Sequence, residues 1–215
     1  TIIFIVPRYS HINHSFGISR SNYFKISLQN ASGSILASED TGRDISFDTG
    51  VDSAGDYYVV IEDSTFLTTN EYSFSTTIAA AAANNNTAET ESNNTLSTAD
   101  TIEMGKAITG QLSSSSDLDY FKLDVTQAST LRLNFDAPTN SSFNNYFTTA
   151  VLDGAGNTLS SHQGGSDITF STALSTAGTY YIQIEDSTFY NGGQYSLTGS
   201  LTNGPSGIET ESNNS

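Results

Sequence analysis

The stretch TYYIQIEDSTF, residues Thr179–Phe189, alternates apolar with polar residues and then breaks into a run of turn-forming residues. Tyr180, Ile182 and Ile184 fall on one face of an extended chain, because successive side chains of a strand point to opposite sides. The last six letters, IEDSTF, occur again at residues Ile61–Phe66. The stretch therefore predicts a half-buried β-strand that ends in a turn and belongs to a duplicated module.

The duplication covers most of the chain. Residues 22–78 align without a gap to residues 145–201, with 23 of 57 positions identical. Upstream of this block we align TIIFIV at residues 1–6 with TLRLNF at residues 130–135, which requires six extra residues in the first copy's loop, PRYSHINHSFGISRS. The histidine pair HINH is expected to lie in this exposed polar loop. The repeat indicates a tandem array of one module.

One difference between the copies concerns the outward face of this first strand. Where the second copy has Arg132 and Asn134, the alignment places Ile3 and Ile5 in the first copy. The first strand would then be apolar on both faces. Because a large exposed apolar patch usually marks a contact, Ile3 and Ile5 are candidate partner-contact residues.

Strand periodicity runs through the whole module. YFKLDV at residues 120–125, TLRLNF, and QYSLTGSL at residues 194–201 carry apolar residues at every second position, and no segment shows sustained helical spacing. Turn signals such as NASG at residues 30–33 and DGAGN at residues 153–157 separate the strands. The pattern predicts an all-β protein built of tandem antiparallel β-sandwich modules of the jelly-roll-like kind.

Repeated ends mark the limits of the modules. The tail IETESNN at residues 208–214 repeats AETESNN at residues 88–94, and the segments AAAAANNNT and TNGPSG read as linkers. Either the chain is cut from a longer array, or another chain supplies the missing strands of the first copy by donor-strand complementation. The predicted organisation is the C-terminal part of a first module at residues 1–78, a linker at 79–88, a complete module at 89–202, and a linker with the start of a third module at 203–215.

The amino-acid composition limits which kinds of partner the protein is expected to bind. With 23 acidic and 7 basic residues the formal net charge is −16, so nucleic acid would be repelled and an acidic binder of cations is expected. The absence of cysteine excludes disulfides and thiolate metal sites. No apolar run reaches the roughly 18 residues of a membrane helix, so membrane insertion is not expected.

Six motifs together resemble a known family. In chain order they are ETESNN, ITGQL, SDLDYFKLDV, VLDGAGNTL, AGTYYIQI and GGQYSL. The ordered set is similar to the bacterial pre-peptidase C-terminal domain, a family that includes the collagen-binding domains of bacterial collagenases. The resemblance implies a jelly-roll-like β-sandwich from a secreted or surface-displayed bacterial protein. It also implies a calcium site where the N-terminal linker folds back on the sandwich.

The resemblance implies calcium ligands on two segments. They are Glu89, Glu91 and Asn93 of the linker, with Asp117 and Asp119 before the YFKL strand, while Asn94 stands where the family often has aspartate. Calcium takes six to eight oxygen ligands, and alternate residues of an extended segment present their side chains on one side. The alternative is that these acids form a solvated surface. Bound calcium would order the linker, which could stiffen an array of modules.

Two functions remain open. No G-x-S-x-G motif occurs, and the two DTG triplets lie eight residues apart around one short strand, so we expect a non-enzymatic protein. The first reading is a calcium-stabilised structural or adhesive repeat of a stalk or filament, with neighbouring modules or identical chains as partners. The second is an accessory module of a secreted hydrolase that binds an extracellular protein or polysaccharide. The candidate contact residues for it are Tyr181, Gln183, Glu185, Asp186, Phe189 and Tyr190.

Overall fold

The computed structural model describes residues 2–6, 10–17, 24–41, 45–51, 54–63, 72–80, 87–138, 146–188 and 192–204. The chain divides into two compact units, residues 1–91 and residues 92–215. Strands joined by turns and loops make up the described part of both units, and nearly all of their pairings are antiparallel. The predicted all-β class is confirmed. No helix among the described residues is long and apolar enough to cross a membrane.

The first unit contains two sheets of four strands each, in the orders β1-β6-β3-β4 and β7-β2-β5-β8. All pairs are antiparallel except β5 with β8, which is parallel. The strands are β1 (Ile2–Val6), β2 (Ser10–Gly17), β3 (Phe24–Gln29), β4 (Ile35–Thr41), β5 (Ile45–Val51), β6 (Gly55–Asp63), β7 (Ser73–Ala80) and β8 (Thr90–Glu91).

The core of the first unit draws on both of its sheets. Ile26 and Leu28 of β3 are at most 1% exposed and pack in one cluster with Val59 of β6 and Val51 of β5. Ile26 and Leu28 are two residues apart, as expected for one face of a strand. Burial of each such aliphatic side chain stabilises the folded state by about 1.5–3 kcal/mol. The contacts within this cluster therefore hold the two sheets together.

The second unit contains a four-stranded sheet in the order β10-β17-β12-β15 and a five-stranded sheet in the order β14-β13-β16-β11-β9. Here β11 and β9 are parallel, and the other pairs are antiparallel. The strands are β9 (Asp100–Thr101), β10 (Ala107–Gly110), β11 (Leu118–Val125), β12 (Ser129–Asp136), β13 (Phe147–Leu152), β14 (Thr158–Gly164), β15 (Ile168–Leu174), β16 (Gly178–Asp186) and β17 (Tyr195–Asn203).

An aromatic cluster lies at the centre of the second unit. Phe135 of β12 lies with its ring centroid 5.1 Å from that of Phe147 on β13 and 5.3 Å from that of Tyr195 on β17. The three side chains are at most 2% exposed. Because β12 and β17 belong to one sheet and β13 to the other, these rings join the two layers of the sandwich.

The two units use the same turn chemistry at the same place in the repeat. Asn30 Oδ1 accepts hydrogen bonds from the backbone N–H groups of Ser32 and Ser34, each at 3.0 Å. Its counterpart Asp153 accepts from Ala155 and Asn157, each at 2.9 Å. Asn and Asp are favoured in such turns because the short side chain bonds to backbone groups a few residues on.

The registers correct the alignment of the first strand. Ile2 of β1 lies opposite Val59, and Phe121 of β11 lies opposite Ile182. Because Ile182 is the repeat counterpart of Val59, β1 is the counterpart of β11 and its YFKLDV sequence, and the predicted match to TLRLNF is wrong. Alternation alone could not distinguish the two, since both segments carry apolar residues at every second position.

The same correction applies to the segment predicted to be an enlarged loop. SHINHSFG forms β2, which lies between β5 and β7 as β12 lies between β15 and β17. The first copy therefore has no six-residue insertion; it is four residues shorter between β2 and β3 than the second copy is between β12 and β13. On this register Ile3 and Ile5 are counterparts of Lys122 and Asp124, not of Arg132 and Asn134.

Candidate metal centre

The acidic segment ETESNN, residues 89–94, begins beside β5. Glu89 accepts a 3.0 Å hydrogen bond at its carbonyl oxygen from the backbone N–H of Gly50, and Thr90 of β8 lies opposite Gly50 of β5. A Cβ atom at position 50 would overlap the carbonyl oxygen of Glu89. The close approach of this segment to β5 therefore requires glycine at position 50.

The end of the same segment lies beside β11. Asn93 accepts a hydrogen bond at its carbonyl oxygen from the backbone N–H of Tyr120 on β11, at 3.2 Å. This bond places Asn93 next to the start of β11, where Asp119 is located.

Three carboxylates meet at this point. Glu89, Glu91 and Asp119 each offer an oxygen, and these oxygens all lie within 4.8 Å of one another. The three side chains are only 4%, 7% and 0% exposed, and Asn93 is 0% exposed. Acidic side chains are almost never this buried unless paired or bound to a metal, so the arrangement differs from a solvated acidic surface. The interpretation of these four residues as solvated surface is therefore wrong.

Specific oxygens at this centre accept no hydrogen bond. They are Oε1 of Glu91, Oδ1 of Asn93 and Oδ1 of Asp119, all buried, although each of these residues makes other interactions. A buried polar atom left without a partner costs about 1–3 kcal/mol, and more when it is charged. Three such atoms on neighbouring residues point to a ligand that accepts electron pairs, which a cation does.

Asp119 is held in a defined orientation from the opposite sheet. The phenolic hydroxyl of Tyr195 on β17 donates a 2.6 Å hydrogen bond to Oδ2 of Asp119. Tyr195 is itself 1% exposed and packs against Phe135 and Phe147. The rigid aromatic cluster therefore fixes one oxygen of Asp119 and leaves the other available.

The donor set fits calcium better than a transition metal. Glu89, Glu91, Asn93 and Asp119 supply only carboxylate and amide oxygens, and calcium prefers six to eight such oxygen ligands, with water completing the shell. Like-charged carboxylates in a buried site repel strongly, because the local dielectric screens them less than water does. A divalent cation would remove this repulsion.

Asp117 has a different structural role. Its Oδ2 accepts a 2.7 Å hydrogen bond from the backbone N–H of Ser113, and its Oδ1 accepts one at 3.0 Å from the N–H of Leu118. These bonds close the turn before β11, and Asp117 is not a member of the group of three carboxylates. Asn94 is exposed. Metal binding by Asp117 and Asn94 stays a prediction.

The remaining candidate residues lie away from this centre. Tyr181, Gln183 and Glu185 are half-buried on the outward face of β16, where Gln183 donates to Glu185 at 3.4 Å. Partial burial raises the pKa of the Asp186 carboxyl, while a hydrogen bond from the backbone of Ser187 opposes the shift. Phe189, Tyr190 and the side chains of Ile3 and Ile5 lie outside the described residues.

Two contributors to this centre were not anticipated from the sequence. One is Tyr195: a tyrosine rather than a phenylalanine at a buried strand position indicates that its hydroxyl needs a hydrogen-bond partner. Gly50 is the other, an interior strand glycine where the second copy has Ala173. An isolated strand glycine often marks a close approach of another backbone.

Comparisons with known proteins identify no family. No protein-family model matches the chain, and no curated protein matches it. Membership of the pre-peptidase C-terminal family therefore stays a prediction.

Solved structures resemble the chain only loosely. The pre-peptidase C-terminal domain of a collagenase from Bacillus anthracis is 17% identical, with 47% of this chain and 94% of that chain covered and a TM-score of 0.39. The tandem CBM51 modules of a family 98 glycoside hydrolase from Streptococcus pneumoniae are 9% identical over 93% of this chain and 80% of that chain, with a TM-score of 0.35. At these scores no function transfers to this chain.

Proposed function

We propose that this chain is a non-catalytic β-sandwich repeat of a secreted or cell-surface protein, and that its acidic segment binds calcium. The observation that carries the proposal is the group of three buried carboxylates, Glu89, Glu91 and Asp119, with its unsatisfied buried oxygens. The repeated module supports a structural or adhesive role, as in a stalk.

Each residue of the centre has a part in this function. Glu91, Asn93 and Asp119 would coordinate through the buried oxygens that accept no hydrogen bond, and Glu89 would add a third carboxylate. Calcium, when bound, supplies two positive charges at a place where the chain alone concentrates negative charge. A ligand that binds only the folded chain at a hundred times its dissociation constant stabilises it by about 2.7 kcal/mol.

Thermal unfolding of the chain in calcium and in chelator tests the proposal. We expect chelation to lower the midpoint by several degrees, since a few kcal/mol is a large part of a domain's stability. Glu91→Gln and Asp119→Asn should abolish the calcium response, whereas the control Asp136→Asn, an exposed carboxylate on β12, should retain it. If the thermal midpoint of the unmodified chain is the same in calcium and in chelator, the proposed calcium function is wrong.

A second candidate function is binding of an extracellular protein or polysaccharide by the outward face of β16. Tyr120 on β11 lies opposite Gln183, and Tyr181 lies two residues away, so two phenols and an amide share this half-exposed face. Aromatic rings and amides at a surface supply contact area and hydrogen bonds. Co-sedimentation with insoluble collagen, cellulose and chitin tests it. Binding should be lost in Tyr181→Ala and kept in Arg132→Ala on the other sheet; no sedimentation would reject it.

A further inference from the structure

Thr49 of β5 carries a buried hydroxyl without a hydrogen-bond partner among the residues that the structure describes. The side chain is 4% exposed, and its Oγ1 atom is buried and makes no hydrogen bond. A hydroxyl in this state costs free energy, because folding removes its hydrogen bonds to water and replaces them with none. Valine has nearly the same shape and is favoured in strands, so packing alone does not explain a threonine at this position.

The repeat counterpart of Thr49 has a partner. Thr172 lies on β15 at the matching position of the second copy and is 5% exposed. Its Oγ1 atom lies 2.5 Å from Oγ of Ser160 on β14. The first copy has Ala37 where the second copy has Ser160, and alanine offers no hydroxyl. The buried threonine is therefore shared by the two copies, whereas the serine that satisfies it is not.

The register of β5 with β8 places Thr49 beside the acidic segment. Gly50 of β5 lies opposite Thr90 of β8 in a parallel pair. The residues that precede these two, Thr49 and Glu89, are neighbours in the same register. A Cβ atom on Gly50 would lie 3.1 Å from Oγ1 of Thr90, so these two residues share one side of the sheet. Because side chains alternate along a strand, Thr49, Glu89 and Glu91 share the other side.

We propose that Oγ1 of Thr49 is a further oxygen ligand of the cation that the acidic segment binds. This inference rests on the proposed calcium function and extends it, because it adds a neutral ligand from β5 to the carboxylate and amide oxygens of residues 89–93. A threonine hydroxyl has two lone pairs, and calcium takes six to eight oxygen ligands. The bound cation is then the partner that the buried hydroxyl otherwise lacks.

A further ligand affects the choice of ion as well as the affinity. Magnesium requires near-ideal octahedral geometry at short distances, whereas calcium accommodates more ligands in a flexible arrangement. The hydroxyl of Thr49 raises the number of ligands without adding negative charge to a segment that already carries Glu89 and Glu91. We therefore expect Thr49 to strengthen calcium binding more than magnesium binding.

Isothermal titration calorimetry of the whole chain with calcium and with magnesium tests the proposal. Thr49→Val removes the hydroxyl at nearly constant shape and should weaken calcium binding about tenfold or more, with a smaller loss for magnesium. Thr49→Ser keeps a hydroxyl and should retain most of the calcium affinity. The matched control is Thr172→Val, which should bind calcium as the parent chain does, because the hydroxyl of Thr172 is bonded to Ser160.

Thermal unfolding in chelator distinguishes a ligand from a residue that only stabilises the fold. Without calcium, Thr49→Val should be at least as stable as the parent chain, because it removes a buried hydroxyl that makes no hydrogen bond. Thr172→Val should have a lower midpoint than the parent chain, because Ser160 loses its partner.

Two results would overturn the role of Thr49 and leave the calcium function intact. One is equal calcium affinity for Thr49→Val and the parent chain under conditions in which Glu91→Gln abolishes binding. The other is a lower midpoint for Thr49→Val than for the parent chain in chelator, which would mean that the hydroxyl stabilises the fold without a cation. If the parent chain binds no calcium, both the calcium function and the role of Thr49 are wrong.

Discussion

Tyr195 donates its phenolic hydroxyl to Oδ2 of Asp119 at 2.6 Å, across the interior of the second unit. Both side chains are at most 1% exposed, so a carboxylate is anchored to the aromatic core rather than to solvent. The bond leaves Oδ1 of Asp119 buried without a hydrogen bond, beside Glu89 and Glu91. The core of the sandwich and the candidate metal centre are therefore physically coupled through one hydroxyl group.

Removal of that hydroxyl should destabilise the chain and weaken its response to calcium. Tyr195→Phe keeps the ring but leaves Oδ2 of Asp119 without its donor, which costs about 1–3 kcal/mol for a buried acceptor. Urea unfolding with and without calcium measures both effects. The matched control is Tyr180→Phe, whose hydroxyl donates to the carbonyl of Thr176 at 2.9 Å. An equal calcium response in the two variants would contradict the coupling.

A single methyl group at Gly50 should displace the acidic segment. Gly50→Ala puts a Cβ atom against the carbonyl oxygen of Glu89, so β8 must separate from β5. We expect a lower thermal midpoint and a smaller stabilisation by calcium. Gly55→Ala is the control, because a Cβ atom there meets nothing within 4 Å. Equal thermal midpoints for the two variants would show that the close approach of Glu89 to β5 does not contribute to stability.

The stability of the first unit should fall as pH rises through the range in which Glu39 titrates. Burial, with a smaller contribution from Asp40, raises the pKa of Glu39 from 4.5 to about 7. The folded state then binds more protons than the unfolded state between these values, so this contribution is greatest below pH 4.5 and is lost by about pH 7.

Glu39→Gln tests this pH dependence. The variant should be more stable than the parent chain at pH 8, by up to about 3 kcal/mol on the scale of 1.36 kcal/mol per pKa unit, and should match it near pH 4.5. Urea unfolding across this range provides the comparison. Glu62→Gln, at an exposed position of β6, serves as the control. Parallel pH profiles for Glu39→Gln and the parent chain would exclude the effect.

The turn at Asp153 should respond to pH in the opposite direction. The side chain of Asn157 and several backbone N–H groups lower the pKa of the Asp153 carboxyl. Because the folded pKa lies below 3.8, this stabilisation is present above that value and is lost as pH falls through the folded pKa. Asp153→Ala should lower the thermal midpoint at pH 7.

Asp153→Asn should be tolerated far better than Asp153→Ala, because Asn30 makes the same two backbone contacts in the first unit. The advantage of the parent chain over Asp153→Asn should disappear in strong acid. Thermal midpoints at pH 7 and pH 2 distinguish these cases. If alanine and asparagine behave alike at pH 7, the side-chain contacts of this turn do not contribute.

Much of the site could be predicted from the sequence, because its candidate ligands alternate along extended segments. Glu89, Glu91 and Asn93 alternate along an extended segment, and Asp117 and Asp119 alternate before a strand. The spacing alone does not distinguish Asp117 from Asp119, since both are acidic residues of the same alternating segment. Both are also buried in the structure. Their hydrogen bonds distinguish the two residues. Asp117 closes a turn by accepting hydrogen bonds at both carboxylate oxygens. Asp119 accepts the hydroxyl of Tyr195 at Oδ2, whereas its Oδ1 accepts no hydrogen bond.

The sequence by itself determined the all-β class, the repeat of residues 22–78 and the turns at Asn30 and Asp153, because period-two alternation and turn chemistry are properties of neighbouring residues. The tertiary structure alone decided that β1 takes the place of β11, since any alternating strand satisfies the same pattern until its hydrogen-bonded partner is known. It alone brought Glu91 and Asp119 together, because a contact between residues distant in sequence depends on how the strands pack rather than on local preference.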